Sequence, residues 1–172
     1  MIHLTGADYR VMPWANGKGQ TTELVRQNDA QGNLLYRLSV ATVTENGPFS
    51  VLPGIKRNLT VISGPGFDLT GDAVRRAGPL TPIAFDGGLK ISASGVSEPS
   101  EDFNVMVGPQ VAAPRVMVIR DGAVPDDVGT LFCFAIEPTR VGAITLARRD
   151  LLVGPGIGDV RGGPLIVVRI DL

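Results

Sequence analysis

Glycine and proline interrupt this chain too often for long helices. There are 22 glycines and 13 prolines in 172 residues, about a fifth of the chain, against roughly 12% in average proteins. Each costs a helix interior roughly 1–3 kcal/mol, which excludes a helical bundle. Disorder is excluded as well, because 44% of the residues are hydrophobic and mean hydropathy is positive. A chain this apolar and this punctuated buries its core in short strands, as one all-β domain or two small fused ones.

The strand signals recur at short intervals. Strands are predicted at 20–27, 34–44, 59–63, 67–70, 83–85, 89–93, 111–120, 131–136, 143–147 and 165–172. In the second of these, Tyr36, Leu38, Val40 and Thr42 point to one face, and Arg37, Ser39, Ala41 and Val43 to the other. Glu45-Asn46-Gly47-Pro48 reads as a turn. Gly64-Pro65-Gly66, Asp86-Gly87-Gly88 and Gly154-Pro155-Gly156 read as hairpin turns. Short peripheral helices are expected around 99–102 and 125–128. Such spacing points to a sandwich or barrel. A faint internal echo links 59–93 to 131–170, with Arg75-Arg76 and Arg148-Arg149 in matching places.

The side-chain inventory excludes much chemistry. Sixteen basic and seventeen acidic residues give a net charge of −1, and no basic stripe exists to hold nucleic acid. No apolar run approaches the roughly 20 residues of a membrane span. The N-terminal residues carry no signal-peptide pattern, so a cytoplasmic location is expected. His3 is the sole histidine and Cys133 the sole cysteine, too few for a zinc, copper or iron site or an ordinary nucleophile triad. Cys133, within Leu131-Phe132-Cys133-Phe134-Ala135, reads as a small core residue. Neither a metal nor any other cofactor is expected.

The densest chemistry lies between Trp14 and Glu23. A phosphate loop is rejected there, since the GxxxxGK[ST] spacing is absent and a strand follows where a helix is needed. Trp14, Asn16, Gly17, Thr21, Thr22 and Glu23 nevertheless combine an indole wall with directed hydrogen-bonding groups. Packing of a loop at a barrel mouth would account for them equally well. Arg37 and Ser39 share a face with small Ala41, which is either a ligand wall or an ordinary solvated strand surface. The constrained segment Gly47-Pro48-Phe49-Ser50 through Pro53-Gly54 delivers Arg57 to a strand, ready to grip a carboxylate or merely exposed. Asp102, Asn104 and Met106 alternate onto one side, although Asp102 there is also compatible with capping a local turn.

Taken in order, these blocks resemble the HutD/Ves family. The matching pieces are Trp14-x-Asn16-Gly17-x-Gly19-x-Thr21, Arg37-x-Ser39-x-Ala41, Gly47-Pro48-Phe49-Ser50 with Pro53-Gly54 and Arg57, Phe85-Asp86-Gly87, and Asp102-Phe103-Asn104-x-Met106. They fall mainly within residues 9–107. The resemblance implies a cupin-type (RmlC-like) β-barrel or sandwich with two related, bicupin-like halves. That is a single cupin-like domain over 1–172, or two fused barrel halves with a boundary near 105–125. It also implies an association with histidine-utilisation gene clusters. Metal-dependent cupins use a His-rich motif that this chain lacks, so their metal chemistry does not carry over.

The expected function is a metal-free binder of a small carboxylated metabolite, with urocanate and formylglutamate as candidates, modulating histidine utilisation. Arg57 and Arg37 would supply charge, Asn16, Gly17, Ser39, Asp102 and Asn104 would complete the polar contacts, and Trp14 and Phe49 would form apolar walls. One alternative is a metal-independent enzyme with Asp102 or Glu23 as proton donor or acceptor and Arg57 stabilising negative charge. Another is a protein-interaction regulator. No catalytic residue is assigned, binding is preferred to catalysis, and a homodimer is expected by analogy with cupin-like barrels.

Overall fold

Every pairing between strands of the described residues is antiparallel, and the order of pairing repeats within the chain. The computed structural model describes all residues except 16, 18, 126, 127 and 157. It divides into two compact units: Arg10–Gln110, and Met1–Tyr9 together with Val111–Leu172. The second unit begins with β1 (Ile2–Leu4) and a 3-10 turn (Gly6–Asp8).

The first unit holds β2 (Arg10–Pro13), β3 (Gln20–Asn28), β4 (Leu34–Val43), β5 (Gly47–Pro48), β6 (Lys56–Ser63), β7 (Phe67–Thr70), β8 (Val74–Ala77), β9 (Ile83–Asp86), β10 (Ser92–Ser94) and β11 (Ser100–Val107). Six strands form one sheet in the order β2-β3-β4-β11-β6-β9, and four form another in the order β5-β10-β7-β8. Val43, Leu59, Val61, Phe67, Leu69, Ala77, Ile83 and Ala93, drawn from both sheets, form one apolar cluster.

The second unit adds β12 (Arg115–Ile119), β13 (Thr130–Ala135), β14 (Thr139–Val141), β15 (Ile144–Leu146), β16 (Leu151–Gly154), β17 (Val160–Gly162) and β18 (Leu165–Ile170). Its sheets run β1-β16-β13-β18-β12 and β15-β14-β17. Leu131, Cys133, Ala135, Leu152, Leu165 and Val167 share a cluster with Val141, Leu146 and Val160 of the smaller sheet. Burial pushes the Cys133 thiol up to about 12, as befits a packing residue.

The sequence echo has a topological basis. Strand β6 pairs with β9 and β11 while β7 pairs with β8 and β10; β13 pairs with β16 and β18 while β14 pairs with β15 and β17. The two halves therefore share one strand plan. The arginine pairs do not take part in it. Arg75 and Arg76 lie within β8, whereas Arg148 and Arg149 follow β15 in a turn.

The structure corrects several local expectations. The segment 99–102 is no helix; β11 begins at Ser100 and is hydrogen-bonded to β4 and β6 on its two sides. Pairing along both edges overrides the weak helix-start signal of Pro99. The expected helix at 125–128 falls partly outside the described residues, and its described ends are irregular. The three glycine turns are not hairpins either. Strands β6 and β7, β9 and β10, and β16 and β17 lie in different sheets, so each turn is a corner that carries the chain from sheet to sheet. The residues 47–48 expected as part of a turn form β5, against β10.

Gly66 shows why glycine is required at such a corner. Its φ is +80°, its amide donates to Ser100 Oγ at 2.9 Å, and a Cβ there would collide with the Ala77 carbonyl. Gly32 has a similar φ of +87° but open space around it. Gly32→Ala should therefore lose roughly 1–2 kcal/mol in urea unfolding, the left-handed penalty alone. Gly66→Ala should lose clearly more; equal losses would contradict the packing of this corner.

Candidate functional site

The interior face of the six-stranded sheet turns polar at one end. Cross-strand partners share a face, and the register aligns Ala41 with Asp102, Ser39 with Asn104, and Arg37 with Met106 across β4 and β11. On β11's other side Met106 meets Arg57, and Arg57 in turn meets Phe85 of β9. On β4's other side, Thr21 meets Ala41 and Glu23 meets Ser39, just before a bulge at which Leu24 is buried. Of these residues, Thr21, Arg37, Ser39, Ala41, Arg57, Asn104 and Met106 border a cavity of about 650 Å³. It is large enough for a small metabolite.

Arg57 is the central group. It is only 5% exposed, with its guanidinium carbon 5.4 Å from the Phe49 ring centroid and 4.9 Å from that of Phe85. Nη2 donates to Asn104 Oδ1 at 3.2 Å, while Nε has no hydrogen-bond partner among the described residues. Burial pulls the guanidinium below its ordinary pKa, Asp102 opposes that shift, and Arg37 adds to it. A desolvated cation with an unused donor is a ready receptor for an anion.

Asp102 lies behind this group and does not border the cavity. It is wholly buried; Asn104 Nδ2 donates to its Oδ1, and Oδ2 is unpartnered. Burial raises its carboxyl to about 7, against the lowering effects of Asn104, Arg57 and the Ala41 backbone. Because Arg57 only donates, Asn104 must turn its oxygen to Arg57 and its nitrogen to Asp102. The amide thus links a cation to a carboxyl with both ends fixed.

The remaining predicted residues take distinct places. Trp14, Arg37, Ser39, Phe49, Arg57 and Asn104 border the cavity. Gly17 instead makes a turn, with φ +72° and its amide on the Trp14 carbonyl at 3.0 Å. Asn16 lies outside the described residues. Trp14 Nε1 donates to Thr21 Oγ1 at 2.9 Å, which holds the indole over the start of β3. Arg37 Nε donates to Glu23 Oε2 at 2.7 Å, so these two largely neutralise each other. Phe85 had no assigned role in the sequence; only the β6–β9 register reveals it as the second ring against Arg57.

The other half differs at the matching positions. Aligning β6 with β13 and β11 with β18 by register puts Leu131 where Arg57 stands, Val167 where Asn104 stands, and Leu165 where Asp102 stands. All three belong to the apolar core there. Arg169 stands where Met106 stands, buried and donating to the Gly129 and Pro125 carbonyls.

Comparison with known proteins agrees with this architecture. The HutD family model matches residues 6–158. The chain belongs to the HutD family. Its structure is similar to that of HutD from Pseudomonas fluorescens SBW25, with TM-score 0.87 and 29% identity over 99% of this chain and 97% of that one. It is also similar to PA5104 of Pseudomonas aeruginosa PAO1, a conserved protein of unknown function, with TM-score 0.83 and 26% identity over 99% and 98% of the two chains. An uncharacterised 21.2 kDa protein in the hutC 3′ region of Pseudomonas putida is 36% identical over 110 residues, which are 62% of this chain and 58% of that relative's length. Likeness to a cupin 2 barrel protein from Leptotrichia buccalis, with TM-score 0.55 and 7% identity, shows the fold alone. The fold is thus the all-β cupin type that the HutD resemblance implied.

The metal centre of many cupins does not fit these residues. The cavity is bordered by two arginines, two amides, hydroxyls and the single carboxylate Glu45, where a transition metal would need imidazole or thiolate. Among the described residues no group of three or more His, Cys, Asp or Glu could hold a metal ion. Nor is any described helix long and apolar enough to cross a membrane.

The raised Asp102 carboxyl makes a prediction about stability. Its folded form prefers the proton up to about pH 7, whereas an unfolded aspartate releases it near 4. This group's contribution is therefore full below about pH 4 and is lost as pH rises through 7. Asp102→Asn should remove that decline. The difference in unfolding free energy between wild type and variant should drift in the variant's favour by a few kcal/mol from about pH 4 to 8; no drift in urea titrations would refute the assignment.

Proposed function

We propose that this HutD-family protein binds a small carboxylated metabolite in the Arg57 cavity and thereby modulates histidine utilisation. Urocanate and formylglutamate are the candidate ligands. The observation that carries the reading is the state of Arg57, a buried guanidinium against two phenyl rings with an unpartnered Nε, at the border of a cavity of metabolite size. A carboxylate there would supply the missing acceptor, and Trp14 and Phe49 would flank its unsaturated or extended body. The pathway assignment draws on family membership and on the curated relative in the hutC 3′ region. In this reading the protein acts in the cytoplasm, where that metabolism runs.

A binding role is favoured over catalysis by the position of Asp102. The carboxyl best suited to transfer a proton stands behind Asn104, away from the cavity, and Glu23 is engaged by Arg37. Calorimetry with urocanate and formylglutamate should give saturable heat at millimolar ligand or below, with no new species by NMR. Arg57→Met should weaken the interaction at least about tenfold, as expected for loss of charge-assisted hydrogen bonds. Arg76→Met, on the exposed β8, should bind like wild type. Absence of heat from both acids would end this reading, and product formation would replace it with an enzymatic one.

A further inference from the structure

A buried cation cannot remain uncompensated, and the trio Arg57–Asn104–Asp102 offers it only one nearby carboxyl. Asn104 joins the two through a 3.2 Å bond from Arg57 and its own bond to Asp102. A ligand carboxylate arriving at Arg57 would be a second counter-ion in the same dry interior. Two anions facing one guanidinium repel each other, and the one with no other solvated outlet relieves the conflict by taking up a proton.

Resting on the binding reading above, we propose that ligand binding is proton-linked: the ligand's carboxylate displaces Asp102 as counter-ion of Arg57, and Asp102 accepts one proton from solvent. In this step an O–H bond forms on the Asp102 carboxylate as the bond from the same proton to hydronium or a buffer acid breaks, leaving water or the buffer's conjugate base in solution. Asp102 then acts as a positioning and charge-balancing residue through Asn104, without touching the ligand. Its raised carboxyl, held near neutrality by burial, puts the exchange within the physiological range. Loss of the Asp102 charge leaves Asn104 in place, because a protonated carboxyl still presents an oxygen to the amide.

The charged groups around Asp102 are few. Arg57 faces it from β6; Arg37 of β4 acts on Arg57 and is itself paired with Glu23 of β3. Glu101, its neighbour on β11, raises the Asp102 carboxyl slightly. Glu45 lies at the border of the cavity. Of these, Asp102 alone combines complete burial with the link to Arg57.

Formylglutamate and urocanate serve as probes at about pH 8, with calorimetry in phosphate and in Tris, whose ionisation enthalpies differ. Wild type should take up at least about a third of a proton per ligand bound, and its affinity should fall by up to about tenfold per pH unit from pH 7 to 9. Asp102→Asn should show no uptake, a flat profile, and tighter binding than wild type at pH 9. Glu23→Gln should keep the uptake. Binding without uptake in wild type, or uptake abolished by Glu23→Gln and retained in Asp102→Asn, overturns the linkage and leaves the binding reading standing. Failure of both acids to bind overturns that reading and the linkage with it. Should Asp102→Asn fail to fold, the proton count of wild type decides.

Discussion

The burial of Arg57 constrains everything around it. A guanidinium at 5% exposure needs aromatic faces, an acceptor and a compensating charge, and two strands and a loop meet that need. Phe85 comes from β9, Asn104 and Asp102 from β11, and Phe49 from the segment after β5. The last of these depends on the corner that follows it. Leu52 and Ile55 are bonded to the Gly87 backbone at 2.6 and 2.7 Å, and a Cβ at Gly87 would strike both carbonyls. Thus the Pro53-Gly54 segment is clipped to the turn after β9, and the ring of Phe49 and that of Phe85 are delivered to the same cation from opposite ends of one clip. A side chain that would be a surface residue on most strands becomes the organiser of this one's interior.

How far the sequence disclosed this fold follows from which forces act locally. Alternation revealed β4 and its two faces, because a period of two is imposed on consecutive residues. It also put Asp102, Asn104 and Met106 on one side, although the strand itself was misjudged at Pro99. What alternation cannot express is the identity of the next strand. Gly64-Pro65-Gly66 supplies the left-handed conformations that a hairpin would use, but its strands turn into separate sheets. The choice between hairpin and corner is made by the apolar faces that must meet across the interior, a long-range condition invisible in three turn residues.

The site was disclosed in the same uneven way. Arg57, Asn104, Arg37, Ser39, Trp14 and Phe49 were identifiable because polar residues on an otherwise apolar strand face, or aromatics in a constrained loop, need an explanation. Phe85 escaped because phenylalanine in a strand needs none; its role exists only in the register with Arg57. Asp102 was named as a ligand contact, yet alternation fixes only the face of a side chain and not its depth within the sheet's interior. Sequence spacing gave the direction of the carboxyl, and only burial decides that it addresses Asn104 and not the cavity.

The contrast between the two halves explains how such a costly interior is tolerated. In the second unit, Leu131, Val167 and Leu165 fill the positions of Arg57, Asn104 and Asp102, and the buried Arg169, opposite Leu131, donates to the Gly129 and Pro125 carbonyls. That half has no interior polar trio to satisfy. In the first unit the same positions hold a cation, an amide and an acid, with an unpartnered Nε and an unpartnered carboxyl oxygen. Each such group opposes folding. The apolar cluster of Leu59, Val61, Phe67 and Leu69 lies deeper between the sheets and offsets part of that cost. The cation, amide and acid of one copy give way to hydrocarbon at the same three positions of the other, so the strand plan itself does not require them.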